Sequence, residues 1–196
     1  MKSSPKNKGY MALDAETTPE KKSLSDNGIY YFAEDISLGS VKPTITWIME
    51  SNMSKGTRYD HLTLIISSYG GSVHAAFSLI DAIQGSAIPI HTVGLGIIAS
   101  AGLVTFIAGE PGHRVITPNT SMLSHQWAWG SSGKEHELIS QQKEYDLMNE
   151  RMLRHYKRCT GLSEKKIRKH LLSPSDRWLS AEEALKYNLV DEVKGI

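Results

Sequence analysis

Residues 82–109, between Asp81 and Glu110, contain no Asp, Glu, Lys or Arg, so this stretch is expected to lie away from water. It is long enough to raise the idea of a membrane-spanning helix. Its breakers argue otherwise: Gly85, Pro89, Gly94, Gly96, Gly102 and Gly109 interrupt it, His91 adds a polar group, and the apolar residues arrive in two blocks. A strand over 91–95, a turn and a buried helix over 101–108 account for the pattern, and no membrane contact is expected. Two buried elements in tandem in a chain of 196 residues point to one domain with a substantial core.

The flanking sequence supplies the other layers. Residues 1–27 are rich in Lys, Ser, Thr, Pro and Glu without an apolar period, and read as a flexible arm before a domain over 28–196. No apolar h-region follows the basic start, so no secretory signal is expected. Strands are expected over 29–32 and 61–67, with a helix over 41–53 and a loop at 54–58 between them. After the turn at 68–71, Val73, Ala76, Phe77, Ile80 and Ile83 repeat at helical spacing up to Gly85. Short strands at 115–116 and 122–123 precede a long helix over 135–160, whose stripe is Leu138, Tyr145, Met148, Met152 and Tyr156, with Gly161 as its cap. That stripe fits an intrachain core or a subunit contact equally well. Ser180 and Glu183 form a capping box opening a helix that stops at Asn188, before a strand over 189–193. Strands alternating with helices predict an α/β fold of parallel β-α-β units with right-handed crossovers.

Bulk chemistry excludes several functions. A net charge of +1 gives no field for nucleic acid, and the Lys165-Lys166-Ile167-Arg168-Lys169 run reads as a solvated helix face. Cys159 is the single cysteine, so no internal disulfide framework exists, which fits a reducing, cytoplasmic setting. No cysteine cluster or His-x-x-x-His pair appears; neither a metal nor a cofactor is expected.

Three stretches carry chemistry: Ala99-Ser100-Ala101-Gly102, Ser124-His125-Gln126 and Asp176-Arg177-Trp178. A serine needs an adjacent imidazole to accept its proton, and the imidazole needs a carboxylate to fix its tautomer and stabilise its cation. Ser100, His125 and Asp176 can fill those three roles. A helix starting at Ala101 and a glycine turn at Gly70-Gly71 would add two backbone N–H groups, those of Gly71 and Ala101, as an oxyanion hole. Each residue alone has a plainer reading: a helix-capping serine, a structural histidine among eight, a turn aspartate.

These segments, together with Ser68-Tyr69-Gly70-Gly71-Ser72-Val73, Pro118-Asn119-Thr120-Ser121-Met122 and Leu179-Ser180-Ala181-Glu182-Glu183-Ala184, resemble in order the ClpP family, the proteolytic subunits of the Clp ATP-dependent protease. The separations of Gly71, Ser100 and His125 match that family without gaps. The resemblance implies a ClpP/crotonase-like fold with a protruding strand-helix handle at about 127–160. It implies a serine endopeptidase with Ser100 as nucleophile, His125 as base then acid and Asp176 as orienter, acting on short peptides or unfolded proteins. Substrate would lie as an added strand beside Gly70, Gly71, Ser72 and Val73, with Gln126 and Trp127 on its other side. It further implies a homo-oligomer, a heptameric ring that pairs with a second, and a Clp ATPase unfoldase as partner. Trp127 stands where the family has proline, and the segment before Asp176 lacks the family's acidic-arginine pair. A non-catalytic ring subunit is the alternative these departures leave open; acyl-CoA chemistry on the same fold leaves the Ser, His and Asp set without a purpose.

Overall fold

The uncharged stretch contains a long strand, β3 (Ile90–Ala99), followed by a short buried helix, α3 (Ala101–Phe106). In the computed structural model, residues 23–54 and 59–195 are described, and the other elements pack around this pair. The expected turn after Leu95 is instead a kink within the strand. Gly96 takes φ +65°, the register against the neighbouring strand shifts between Ile66 and Ser68, and β3 resumes to Ala99. A glycine at positive φ can bulge a strand without ending it, which the apolar pattern alone does not reveal.

The kink divides the work of β3. Its first half pairs with β4 (Arg114–Ile116), in the register Thr92 to Arg114. Its second half pairs with β5 (Ser121–Ser124), in the register Ile97 to Ser121. On its other side lies β2 (Leu62–Ser68), then β1 (Ile29–Phe32), both parallel to it. The strand β7 (Glu192–Val193) closes the edge beside β4. The expected strand over 189–193 is thus reduced to its last part, since Leu189 and Val190 are buried in the approach to it. The chain also forms β6 (Arg177–Leu179), antiparallel to β5 and not foreseen as a strand. Three residues are too few to show alternation, and pairing with β5 supplies what propensity does not.

Helices cover one face. Leu62, Leu64, Ile66 and Ser68 of β2 are buried there, while the alternate residues Thr63, Ile65 and Ser67 are only half-buried. The helix α1 (Leu38–Met53) starts three residues earlier than expected because Ser37 and Ser40 cap reciprocally, with Ser40 in the usual place of Glu or Gln. It packs on α2 (Val73–Gly85), whose Ala75, Ala76, Leu79, Ile80 and Ile83 are buried. A single turn of 3₁₀ helix, Ser25–Asn27, precedes β1, within the stretch expected as part of the arm. The rest of the expected arm, residues 1–22, and residues 55–58 of the expected loop lie outside the described residues.

The helix α4 (Glu135–Thr160) has the expected bounds and ends on Gly161 at φ +68°. Its stripe is split in two. Met148, Met152 and Tyr156 are buried, Tyr145 is half-buried, and Leu138 is exposed along with all of residues 131–140. Next, α5 (Glu164–His170) buries Ile167 and turns Lys165, Lys166, Arg168 and Lys169 to solvent. The helix α6 (Ala181–Lys186) opens with the Ser180 and Glu183 capping box, and Asn188 beyond it takes φ +54°. Among the described residues no helix is long and apolar enough to cross a membrane, and no group of His, Cys, Asp or Glu could hold a metal ion.

Candidate active site

Ser100 occupies the single residue between β3 and α3, at φ 54° and ψ −123°. A side-chain-bearing residue in this region costs on the order of 1–3 kcal/mol, and the neighbours must impose it. They do so on both sides. The Ser100 N–H donates to the Leu123 carbonyl of β5 at 2.9 Å, and its carbonyl accepts from Val104 of α3 at 3.1 Å.

His125 follows the last residue of β5. On one side of it Ser124 Oγ donates to the Leu171 carbonyl, and on the other the Gln126 N–H donates to the Ser173 carbonyl at 3.2 Å. The segment that pins His125 is the one that leads to Asp176, at the mouth of β6, where Ser124 pairs with Arg177. Strand pairing thus brings together three residues distant in sequence. His125 Nε2 lies 2.7 Å from Ser100 Oγ, and His125 Nδ1 lies 3.1 Å from Asp176 Oδ1. With the proton on Nδ1, facing the carboxylate, the Nε2 lone pair is available to accept from the serine. The His125 side chain is 29% exposed and that of Asp176 66%.

The glycine turn lies directly against the serine. A Cβ on Gly70 would stand 2.8 Å from the Ala99 oxygen and from Ser100 Cβ, and 3.0 Å from the Ala101 nitrogen. Gly70 and Gly71 also take φ +101° and +140°. The turn bridges to Ile36: the Ile36 N–H donates to the Gly70 carbonyl at 2.7 Å, and the Ser72 N–H to the Ile36 carbonyl at 2.8 Å. An added strand beside Gly70 to Val73 would therefore have to use the edge of this segment that faces away from Ile36. The Gly70 carbonyl and the Ser72 N–H are engaged by Ile36, and Ser72 Oγ caps α2 by accepting from Ala75 N–H. In an extended chain alternate residues face opposite edges, so Gly71 and Val73 are left on the outward edge. The Ala101 amide, first in α3, has no partner within its helix.

Beside Ser100 and His125, Val73, Ala76, Val104, Trp127 and Met152 close around about 10 Å³ of free space. Trp127 Nε1 donates to Asn149 Oδ1 at 2.9 Å, and its ring stacks on Tyr145 with centroids 5.0 Å apart. The Gln126 side chain is exposed.

With that geometry established, a family model described as Clp protease matches residues 46–195, a segment that holds every residue named above from Gly70 to Asp176. The chain belongs to the Clp protease family. An ATP-dependent Clp protease proteolytic subunit 3 from Rhizobium meliloti is 36% identical over 134 residues, 68% of this chain and 68% of that protein. A proteolytic subunit 1 from Corynebacterium diphtheriae is 38% identical over 133 residues, 67% of this chain and 63% of that protein. The match therefore spans about two thirds of these relatives' length. Among solved structures, a mutant ClpP1 from Listeria monocytogenes superposes with a TM-score of 0.75 at 28% identity, covering 88% of this chain and 94% of that one. The ClpP fold expected from the sequence is the fold observed.

Sequence reasoning passed over several residues that shape this Clp-family site. Ile36 holds the glycine turn, and Ala76, Val104 and Met152 form the apolar wall. Met152 had a signal, its place in the α4 stripe, but a stripe says that a face is covered and not what covers it. Ile36 acts through its backbone and leaves no mark in residue type.

Proposed function

We propose that this Clp-family chain is a serine endopeptidase that cleaves short peptides or unfolded polypeptides through an acyl-enzyme. The observation that carries the reading is the contact chain from Ser100 Oγ through the His125 ring to Asp176, at 2.7 and 3.1 Å. Relatives named as proteolytic subunits support peptide-bond hydrolysis as the reaction class.

In the first step Ser100 Oγ bonds to the scissile carbonyl carbon while its proton passes to His125 Nε2. The carbonyl electron pair moves onto oxygen, toward the N–H groups of Gly71 and Ala101, each worth roughly 3–4 kcal/mol in acyl transfer. Collapse breaks the C–N bond, and the same proton goes to the leaving amine. Water then repeats the sequence with His125 as base, releasing the new carboxylate and restoring Ser100. Asp176 stays ionised and stabilises the imidazolium in both halves. Substrate backbone pairs with the outward edge at Gly71 and Val73. The exposed Leu138 and Ile139 of α4 and the exposed Trp129 before it support burial against further copies in a ring. A Clp ATPase that feeds unfolded chains belongs to the same reading.

The test is labelling of the purified protein by a fluorophosphonate, read by intact mass and peptide mapping. Modification confined to Ser100, lost in Ser100→Ala together with peptide hydrolysis while fold and assembly persist, is the expected result. An unlabelled wild-type protein defeats the peptidase reading and favours the non-catalytic ring subunit, whereas hydrolysis that survives Ser100→Ala defeats the assignment of Ser100 as nucleophile.

A further inference from the structure

The apolar recess beside Ser100 is nearly full. In acyl transfer the substrate residue on the acyl side places its carbonyl carbon on Oγ, so its side chain starts one bond away and must enter the nearest recess. Ser100, Ala101 and His125 line the recess together with Val73, Ala76, Val104, Trp127 and Met152, with about 10 Å³ free. Such a volume holds about one water molecule. Space this small favours a side chain the size of a methyl group over a branched or aromatic one.

Trp127 is the part of this wall that does not belong to the core. Val73 and Ala76 are on α2, Val104 is on α3 and Met152 is on α4, each fixed by its helix, whereas Trp127 sits in the segment between β5 and α4. It is nonetheless tethered. Its Nε1 donates to Asn149 Oδ1 at 2.9 Å, its ring stacks on Tyr145 at 5.0 Å, and Trp129 meets it edge-on at 5.3 Å. Swinging it aside for a larger side chain would break the bond to Asn149 and unstack Tyr145 together.

We propose that Trp127 sets the primary specificity of this site by closing the recess to side chains larger than a methyl group, so that the chain cleaves after small residues, alanine above all. This rests on the peptidase reading and names its substrate class. Asn149 is a positioning residue, acting through the indole it holds.

The probes are N-blocked diphenyl phosphonates that carry the side chain of alanine or of leucine. Ser100 Oγ bonds to phosphorus, the P–O bond to one phenoxide breaks, and phenol leaves with the serine proton. A fluorophosphonate without a side chain serves as the control for a working serine. On the wild-type protein the alanine probe labels Ser100 faster than the leucine probe by about tenfold or more, the scale on which an apolar pocket rejects surplus carbon atoms. Trp127→Ala reverses that order, and Asn149→Ala, which leaves the indole in place but untethered, narrows it. If Trp127→Ala fails to fold, the Asn149→Ala ratio decides. Fluorophosphonate labelling with a leucine probe as fast as the alanine probe, or with neither probe reacting, or a ratio unmoved by both substitutions, overturns the role of Trp127 and leaves the peptidase reading intact. Failure of the fluorophosphonate itself overturns the peptidase reading, and the specificity falls with it.

Discussion

Asp176 and Asp191 each face a basic side chain, and they are held in opposite ways. Asp191 is over-determined. Its Oδ2 accepts from Gly112 N–H, Arg114 N–H and Arg114 Nε at 2.9, 2.9 and 2.8 Å, and its Oδ1 from the Arg114 guanidinium at 2.6 Å. Arg114 is itself buried and gives its remaining nitrogen to the Cys159 carbonyl at 2.9 Å. Burial alone would push the Asp191 carboxyl up, but the hydrogen bonds from Arg114 and Gly112 outweigh it and hold the group below its usual range. Among the described residues Asp176 is paired with His125 alone, at 3.1 Å, and two thirds of its side chain is in solvent. The first aspartate locks the approach to β7 onto β4. The second is placed by the backbone, through the pairing of β5 with β6, and its carboxylate contributes little to that placement. A charge that builds the fold is tied from every side, whereas one proposed to steady a cation during turnover needs only to be near it.

The comparison breaks most visibly at Asp176. Asp176→Asn is expected to lower kcat by about 10⁴-fold, the scale seen when a serine-histidine relay loses its carboxylate. Its urea unfolding curve should stay within about 0.5 kcal/mol of wild type, since an exposed ion pair adds little to stability. A variant that unfolds, or one that turns over normally, would show that the contact has been misread. Asp191→Asn is expected to do the reverse. It leaves a buried guanidinium uncompensated and costs about 3 kcal/mol, measured by urea unfolding, while fluorophosphonate labelling per folded molecule is unchanged.

These two residues also show what the sequence makes legible. Asp176 stood out because it lies in a motif with Ser100 and His125 in fixed order, and the α/β fold was readable from alternating periods. Asp191 carried no signal, because its partner Arg114 is 77 residues away and buried arginines look like surface ones in a sequence. The bounds of α4 were legible at both ends, from the onset of its period and from Gly161. The kink at Gly96 and the strand β6 were not, since both depend on which neighbour pairs with which half of β3 and β5. At the site, residue types pointed to the three side chains that lie in contact, Ser100, His125 and Asp176. They could not give the direction of the backbone at Gly70 and Ser72, which is settled by Ile36, nor the closeness of the wall formed by Trp127 and Met152.

Acid separates the two kinds of charge most finely. His155 is buried in α4, with Nε2 against the Val104 carbonyl at 2.8 Å; burial, helped by the charge of Arg158, lowers its pKa to about 4 despite that bond. His91 is also lowered to about 4, first by burial and then by His61 and His113, stacked on its two faces at 4.0 and 3.9 Å. An unfolded chain takes up these protons near the ordinary histidine value of 6.5, the folded chain only near 4, so between those values the unfolded state binds more protons and stability falls as pH falls. For His155 the slope reaches at most about 1.4 kcal/mol per pH unit, and His155→Gln should flatten it in urea unfolding series. Asp191 titrates on the other side of that window. Its folded value lies below the ordinary aspartate value of 3.8, so its contribution is fully present above that pH and is lost only as pH falls through the folded value. The stability gap between wild type and Asp191→Asn should therefore stay constant while both proteins weaken through the histidine range, and close only at lower pH. A gap that shrinks between pH 6.5 and 4 would mean that Asp191 is protonated early, and that the ring of donors around it is looser than its distances indicate.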